Sequence, residues 1–126
     1  MARRWVTGWR LDECERDRLL ARFEPLFPDV VAHHVTLRTG TDRRTPLPAE
    51  TAGEIIGEID DGAGVQALVV RIGGTTDRGD GSTYHITWSL DRSRGRRPVE
   101  SNDVIARLGW SPLLQPISIQ LIPARF

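Results

Sequence analysis

Two short stretches of this chain carry side chains that could do acid–base chemistry as a pair. One is His33-His34-Val35-Thr36-Leu37-Arg38, the other Tyr84-His85-Ile86-Thr87-Trp88-Ser89-Leu90. Each holds His-apolar-Thr inside an apolar run. Side chains alternate across a strand, so in each copy histidine and threonine share one face and the apolar residues take the other. Two such strands around one cleft would bring together two imidazoles and two hydroxyls. An unperturbed imidazole titrates near ~6.5, so one can be neutral and accept a proton while the other donates. In-line displacement at a phosphodiester needs that combination: a base on the attacking water and an acid on the leaving oxygen. His34 and His85 are then the acid/base pair, with either in either role. Thr36 and Thr87 would donate to the non-bridging oxygens as charge builds. Arg38 continues the face of His34 and Thr36 and offers a guanidinium to the phosphate. His33, by the same alternation, points to the opposite face with Val35 and Leu37.

The elements that must position these residues follow from the pattern of the rest. Residues 5–11 alternate as a strand, and Asp12 with Glu15 three residues on has capping-box spacing for a helix to about Phe23. Leu19, Leu20 and Phe23 face inward on that helix, Arg16, Arg18 and Arg22 face water, and Pro25 and Pro28 stop it. Residues 30–38 form the strand of the first motif. Residues 41–51, with Pro46 and Pro48, form a loop at the rim of the site. Residues 54–59 and 65–72 read as a hairpin whose second strand is central and buried on both faces. The glycine-bearing loop 73–82 lacks the lysine of a phosphate loop. After the second motif strand, 84–90, Ser101 reads as the N-cap of a helix to Leu108 that Gly109 closes, and residues 117–121 form the last strand. The order β-α-β-β-β-β-α-β sets two lobes, each with one His-x-Thr strand, around a shared cleft.

With 126 residues, 39% hydrophobic and 27% charged, the chain reads as one domain over 1–126. No apolar run approaches the roughly 18 residues of a membrane span, and residues 1–5 lead into a strand rather than a signal segment. The expectation is a cytoplasmic monomer with no membrane contact. Cys14 is the single cysteine, so no internal disulfide forms, and it reads as a structural thiol. Net charge is zero, which leaves no global field to attract nucleic acid. All 17 basic residues are arginine. Four of them, Arg92, Arg94, Arg96 and Arg97, follow the second motif, either as a solvated loop or where a phosphate-bearing substrate enters. Trp88 belongs to the core by parity, which leaves Trp5, Trp9, Tyr84 and Trp110 as candidates for stacking on a base. A metal site built on His33, His34 and His85 is disfavoured, because adjacent strand residues point apart and no cysteine or acid completes a ligand set. No metal and no cofactor is expected.

The paired His-x-Thr strands resemble the 2H phosphoesterase superfamily. Arg97-Pro98-Val99-Glu100-Ser101-Asn102 is similar to the branch containing the cyclic phosphodiesterase domain of fungal-type tRNA ligases. The resemblance covers both motifs and their flanks, roughly residues 29–110, and says little about residues 45–72. It implies an α+β fold of two lobes, with pseudo-two-fold antiparallel sheets and flanking helices. It also implies hydrolysis of a 2′,3′-cyclic phosphate, on RNA ends or cyclic nucleotides, to a phosphomonoester, in that branch a 2′-phosphate. The ligase and kinase domains of those enzymes have no counterpart in this sequence, so a role in tRNA splicing is not carried over. A non-catalytic RNA-end or nucleotide-binding module on the same fold would need the arginines and threonines but not both histidines. Because two imidazoles and hydroxyl donors suffice for the chemistry, turnover of a 2′,3′-cyclic nucleotide should be unchanged by EDTA. A rate restored only by added divalent ion would overturn that assignment of the histidines.

Overall fold

Asp12 ends strand β1 (Trp5–Arg10) and opens helix α1 (Glu13–Arg22), its carboxylate accepting from the Glu15 N–H at 2.7 Å. The other half of a capping box does not form. The Glu15 carboxylate, buried, instead accepts from the Gln120 N–H at 2.7 Å and from Arg18 at 2.6 Å. A computed structural model describes residues 4–126; Met1, Ala2 and Arg3, read above as leading into the first strand, lie outside the described residues. The remaining elements are β2 (Asp29–Val30), β3 (His34–Thr41), β4 (Ala52–Asp60), β5 (Val65–Arg71), β6 (His85–Leu90), α2 (Glu100–Leu108), β7 (Ser111–Gln120) and β8 (Ile122–Arg125).

The fold is α+β, one antiparallel sheet with two helices. Strand order is β7-β4-β5-β6-β3-β1-β8, with β2 added on β6. Leu121 alone separates β7 from β8, although they stand at opposite ends of that order. The sheet therefore curls until its ends are neighbours. Inside the curl lies the main core, where Trp9, Leu19, Val35, Leu68, Ile86 and Trp88 are fully or almost fully buried. Helix α2 covers the outer face of β5 and β6, packing Val104 against Val65 and Leu90, and Ile105 against Ala67 and Val69. Strand β5 is thus buried on both sides, as the apolar run from Ala67 to Val70 predicts.

The chain departs from the pattern reading in four places. Residues 30–38 are not one strand: Asp29 and Val30 pair with Leu90 and Ser89, the chain breaks at Ala32, and β3 starts at His34. Ala32 sits at φ 44°, a conformation that costs a non-glycine residue about 1–2 kcal/mol. Arg16, expected in water, holds the break by donating to the Ala32 carbonyl at 3.0 Å and the Val31 carbonyl at 3.4 Å. Ser101 is not a cap. Helix α2 begins one residue earlier without a side-chain cap, and Ser101 is fully buried. The C-terminal region forms a longer β7 and an additional β8, despite Pro112, Pro116 and Pro123. All three lie on edge strands, where a missing N–H need not break a ladder.

Three of the four stacking candidates are packed instead. Trp9 is 1% exposed, donates to the Glu50 carbonyl at 2.9 Å and meets Tyr84, itself buried, edge-on at 5.7 Å. Trp110 covers Gly57, where an added Cβ would run into the indole. Trp88 is core as expected, its indole N–H donating to the Phe23 carbonyl at 2.8 Å.

Gly8 pairs with Thr36, and a Cβ at that position would collide with the Val35 carbonyl oxygen and lie 2.9 Å from the Leu37 nitrogen. Both are backbone atoms and cannot swing aside. Gly8→Ala should therefore lower stability by about 1–3 kcal/mol in urea denaturation. An unchanged midpoint would show that β1 can slide off β3 at no cost.

Candidate functional site

Strands β3 and β6 join through one registered pair, Val35 opposite Ile86, both fully buried in the core. Opposed residues of an antiparallel pair share a face. Stepping outward one residue sets His34 opposite Thr87 and Thr36 opposite His85, all on the face away from the core. The two motifs are thus related by a half-turn about the Val35–Ile86 pair. On the β6 side this face continues through Ala67, opposite Thr87, and Val69, opposite His85.

His85 is buried, and its Nδ1 lies 2.8 Å from the Thr83 carbonyl oxygen. A carbonyl can only accept, so Nδ1 carries hydrogen and Nε2 is left for a reacting group. Burial holds the His85 pKa below its ordinary value; the Thr83 carbonyl opposes this and the charge of Arg78 adds to it. His34 is lowered further, to about 4, first by burial and then by the charges of His33 and His85. Both imidazoles are therefore neutral at pH 7 in the free protein.

His33 does not take the opposite face. The break at Ala32 ends the strand alternation before this residue is reached, and His33 is exposed with its Nδ1 3.0 Å from Nδ1 of His34. One ring donates to the other. Phe126 completes this group, its ring centroid 4.6 Å from His34 and 6.1 Å from His33. Two backbone hydrogen bonds of 2.8 Å tie Phe126 to Val6 of β1.

The two threonines sit in different surroundings. Thr36 is half-buried. Thr87 is buried, with its hydroxyl 2.8 Å from the Ser101 hydroxyl and 3.3 Å from the Pro98 carbonyl. A hydroxyl has one hydrogen and two lone pairs. When Ser101 donates to Thr87, the Thr87 hydrogen can leave the distant Pro98 carbonyl for a phosphate oxygen. Of the arginine cluster, Arg96 places this segment: it pairs with Asp61 at 2.8 Å and Glu100 at 3.2 Å and donates to the Ala63 carbonyl at 2.6 Å, tying the 60–64 turn to the start of α2. Arg94 pairs with Asp91 at 3.1 Å, while Arg92 and Arg97 are exposed.

Arg38 does not continue the face of Thr36. Gly8 pairs with Thr36 but Thr7 pairs with Arg38, so Leu37 is an extra residue and the alternation is reset by a bulge. Arg10 takes the place beside His34, as its direct partner on β1 and therefore on the same face, exposed and without an ion pair among the described residues. Nothing in the sequence names Arg10, because strand adjacency of β1 and β3 is not legible from either strand. Among the described residues no group of three or more His, Cys, Asp and Glu could hold a metal ion, and no helix is long and apolar enough to cross a membrane. A cavity of about 550 Å³ lined by Asp12, Glu15, Arg18 and Gln120, among others, includes neither motif.

Because the charge of His33 lowers the His34 pKa, His33→Ala should move the His34 titration upward from about 4 toward the ordinary value. Imidazole carbon-bound proton shifts followed across pH by NMR measure this directly, and an unmoved titration would leave burial and the charge of His85 as the causes.

No family model, curated protein or solved structure matches this chain.

Proposed function

We propose that the chain is a metal-independent phosphodiesterase that opens 2′,3′-cyclic phosphates, on RNA ends or nucleotides, with water. The observation that supports this best is the Val35–Ile86 register, which turns two sequence motifs into one face with two imidazoles and two threonines. The two-lobed reading draws on the same pair. A single registered position separates β8-β1-β3 on one side from β6-β5-β4-β7 on the other, a narrow seam around which each half contributes one His-x-Thr.

The surroundings of the histidines divide the roles. His34, lower in pKa, is the base: its neutral ring takes a proton from water as the water oxygen attacks phosphorus. His85 is the acid, because the Thr83 carbonyl stabilises its imidazolium through Nδ1–H. As the bond from phosphorus to the 3′ oxygen breaks, His85 Nε2 delivers its proton to that oxygen. The products are a 2′-phosphomonoester and a free 3′-hydroxyl, with one water consumed. Thr36 and Thr87 donate to the non-bridging oxygens, Ser101 freeing the Thr87 hydrogen. Arg10 stands beside His34, where its guanidinium neutralises the phosphate. The setting is a monomer in the cytoplasm.

His34 must be neutral and His85 protonated in the free enzyme that meets substrate. The bell of kcat/KM against pH should then rise near 4 and fall below ~6.5, the ordinary imidazole value. His34→Ala and His85→Ala should each lower the rate about 10²–10⁴-fold, the double variant by much less than the product. Near-normal turnover in either single variant that is still folded by circular dichroism would overturn the assignment. Tight binding of cyclic nucleotide without turnover by the unsubstituted protein would favour the binding module.

A further inference from the structure

Beyond the Thr36–His85 position the two motif strands part, and a recess of about 170 Å³ lies in the fork between residues 37–39 and the loop 78–80. Its lining includes Arg38, Thr39, Arg78 and Asp80. The Arg78 side chain is only 10% exposed, yet its Nε–H is buried with no hydrogen-bond partner. A buried guanidinium donor left unmatched is unfavourable unless a ligand takes it. Arg78 gives Nη2 to Asp80 at 2.8 Å, while the other Asp80 oxygen accepts from the Ser82 N–H at 2.9 Å and from the Ser82 hydroxyl. Asp80 is thus fully engaged and neutralises one of the two arginines. Arg38 is exposed with no ion pair among the described residues, so the recess keeps one net positive charge.

We infer that this recess is a second anion subsite, filled by a phosphate one nucleotide removed from the scissile one, so that the substrate is an oligonucleotide end rather than a free cyclic mononucleotide. The inference rests on the phosphodiesterase reading for the identity of the first phosphate. Its size fits: pockets for whole small molecules span about 300–1,000 Å³, and the recess is well below that, with room for one tetrahedral oxyanion. Its position fits as well. The recess begins one residue past Thr36, at the Leu37 bulge that resets the strand and leaves Arg38 among its lining. Arg78 is close enough to His85 for its charge to bear on that ring, so the subsite adjoins the leaving-group side of the reaction. The free Nε–H and an Nη–H of Arg78 form a fork that two phosphate oxygens can occupy together.

The test compares kcat/KM for a dinucleotide ending in a 2′,3′-cyclic phosphate with that for the matching 2′,3′-cyclic mononucleotide with a 5′-hydroxyl. The dinucleotide should be preferred by about 10–100-fold, the worth of one charged hydrogen bond. In Arg38→Ala and Arg78→Ala that ratio should fall toward one. Arg38 is exposed, so its variant reports even if removing the buried Arg78 prevents folding. A second readout needs no catalysis: inorganic phosphate added to the full chain should shift the Arg78 Nε–H resonance in a nitrogen-15 NMR spectrum. That shift in a protein that hydrolyses neither substrate would retain the subsite and reject the phosphodiesterase. Equal turnover of both substrates with no shift would retain the phosphodiesterase and overturn the subsite.

Discussion

The arrangement of the site depends on one cross-strand contact, the burial of Val35 against Ile86 where β3 meets β6. Because the side-chain period of a strand is two, a slip of one residue in either strand would turn a histidine and a threonine into the core and bring apolar side chains out. The core resists that slip. Val35 and Ile86 have no exposure, and Leu68 beyond them on β5 is equally buried. The polar constellation is held by apolar packing on its reverse side.

Around that contact the fold supplies unequal surroundings to equivalent residues. His34 has a second imidazole and Phe126 against it; His85 has a backbone carbonyl at Nδ1 and an arginine charge nearby. Thr36 stands on a strand flanked by β1, whereas Thr87 lies under the entry to α2, where Arg96 and Ser101 fix its partners. A half-turn relates the motifs, but their environments do not obey it, and the two imidazoles are left chemically unequal.

What could be read beforehand, and what could not, follows the range of the interactions involved. Alternation placed His34, Thr36, His85 and Thr87 correctly relative to their own strands, because it is a property of each strand alone. It failed for His33 and Arg38, where a backbone break and a bulge reset the phase; neither Ala32 nor Leu37 has a side chain that announces such a change. The Asp12 cap and the buried β5 were legible because both are local. Arg10, Arg78 and Phe126 were not, since each reaches the site only through strand neighbours that the chain order does not reveal. Ser101 was misread because the capping preference of serine is weaker evidence than the buried hydroxyl opposite it. Residues 117–121 were legible as a strand, but the prolines hid the first part of β7 and all of β8, because edge position is a tertiary property.

The single-residue link at Leu121 bears on how the protein comes into being. Strand β8 adds to β1, so the segment that packs Phe126 on His34 pairs with a strand from which it is separated in sequence by every other strand of the sheet. The half of the site built on β3 stays incomplete until β8 reaches β1. Pairings this distant in sequence belong to the slow regime of folding, about milliseconds to seconds, because loop closure must precede the contacts that stabilise it. Until that pairing forms, β1 keeps an open edge and the Phe126 ring is missing from the His33–His34 group.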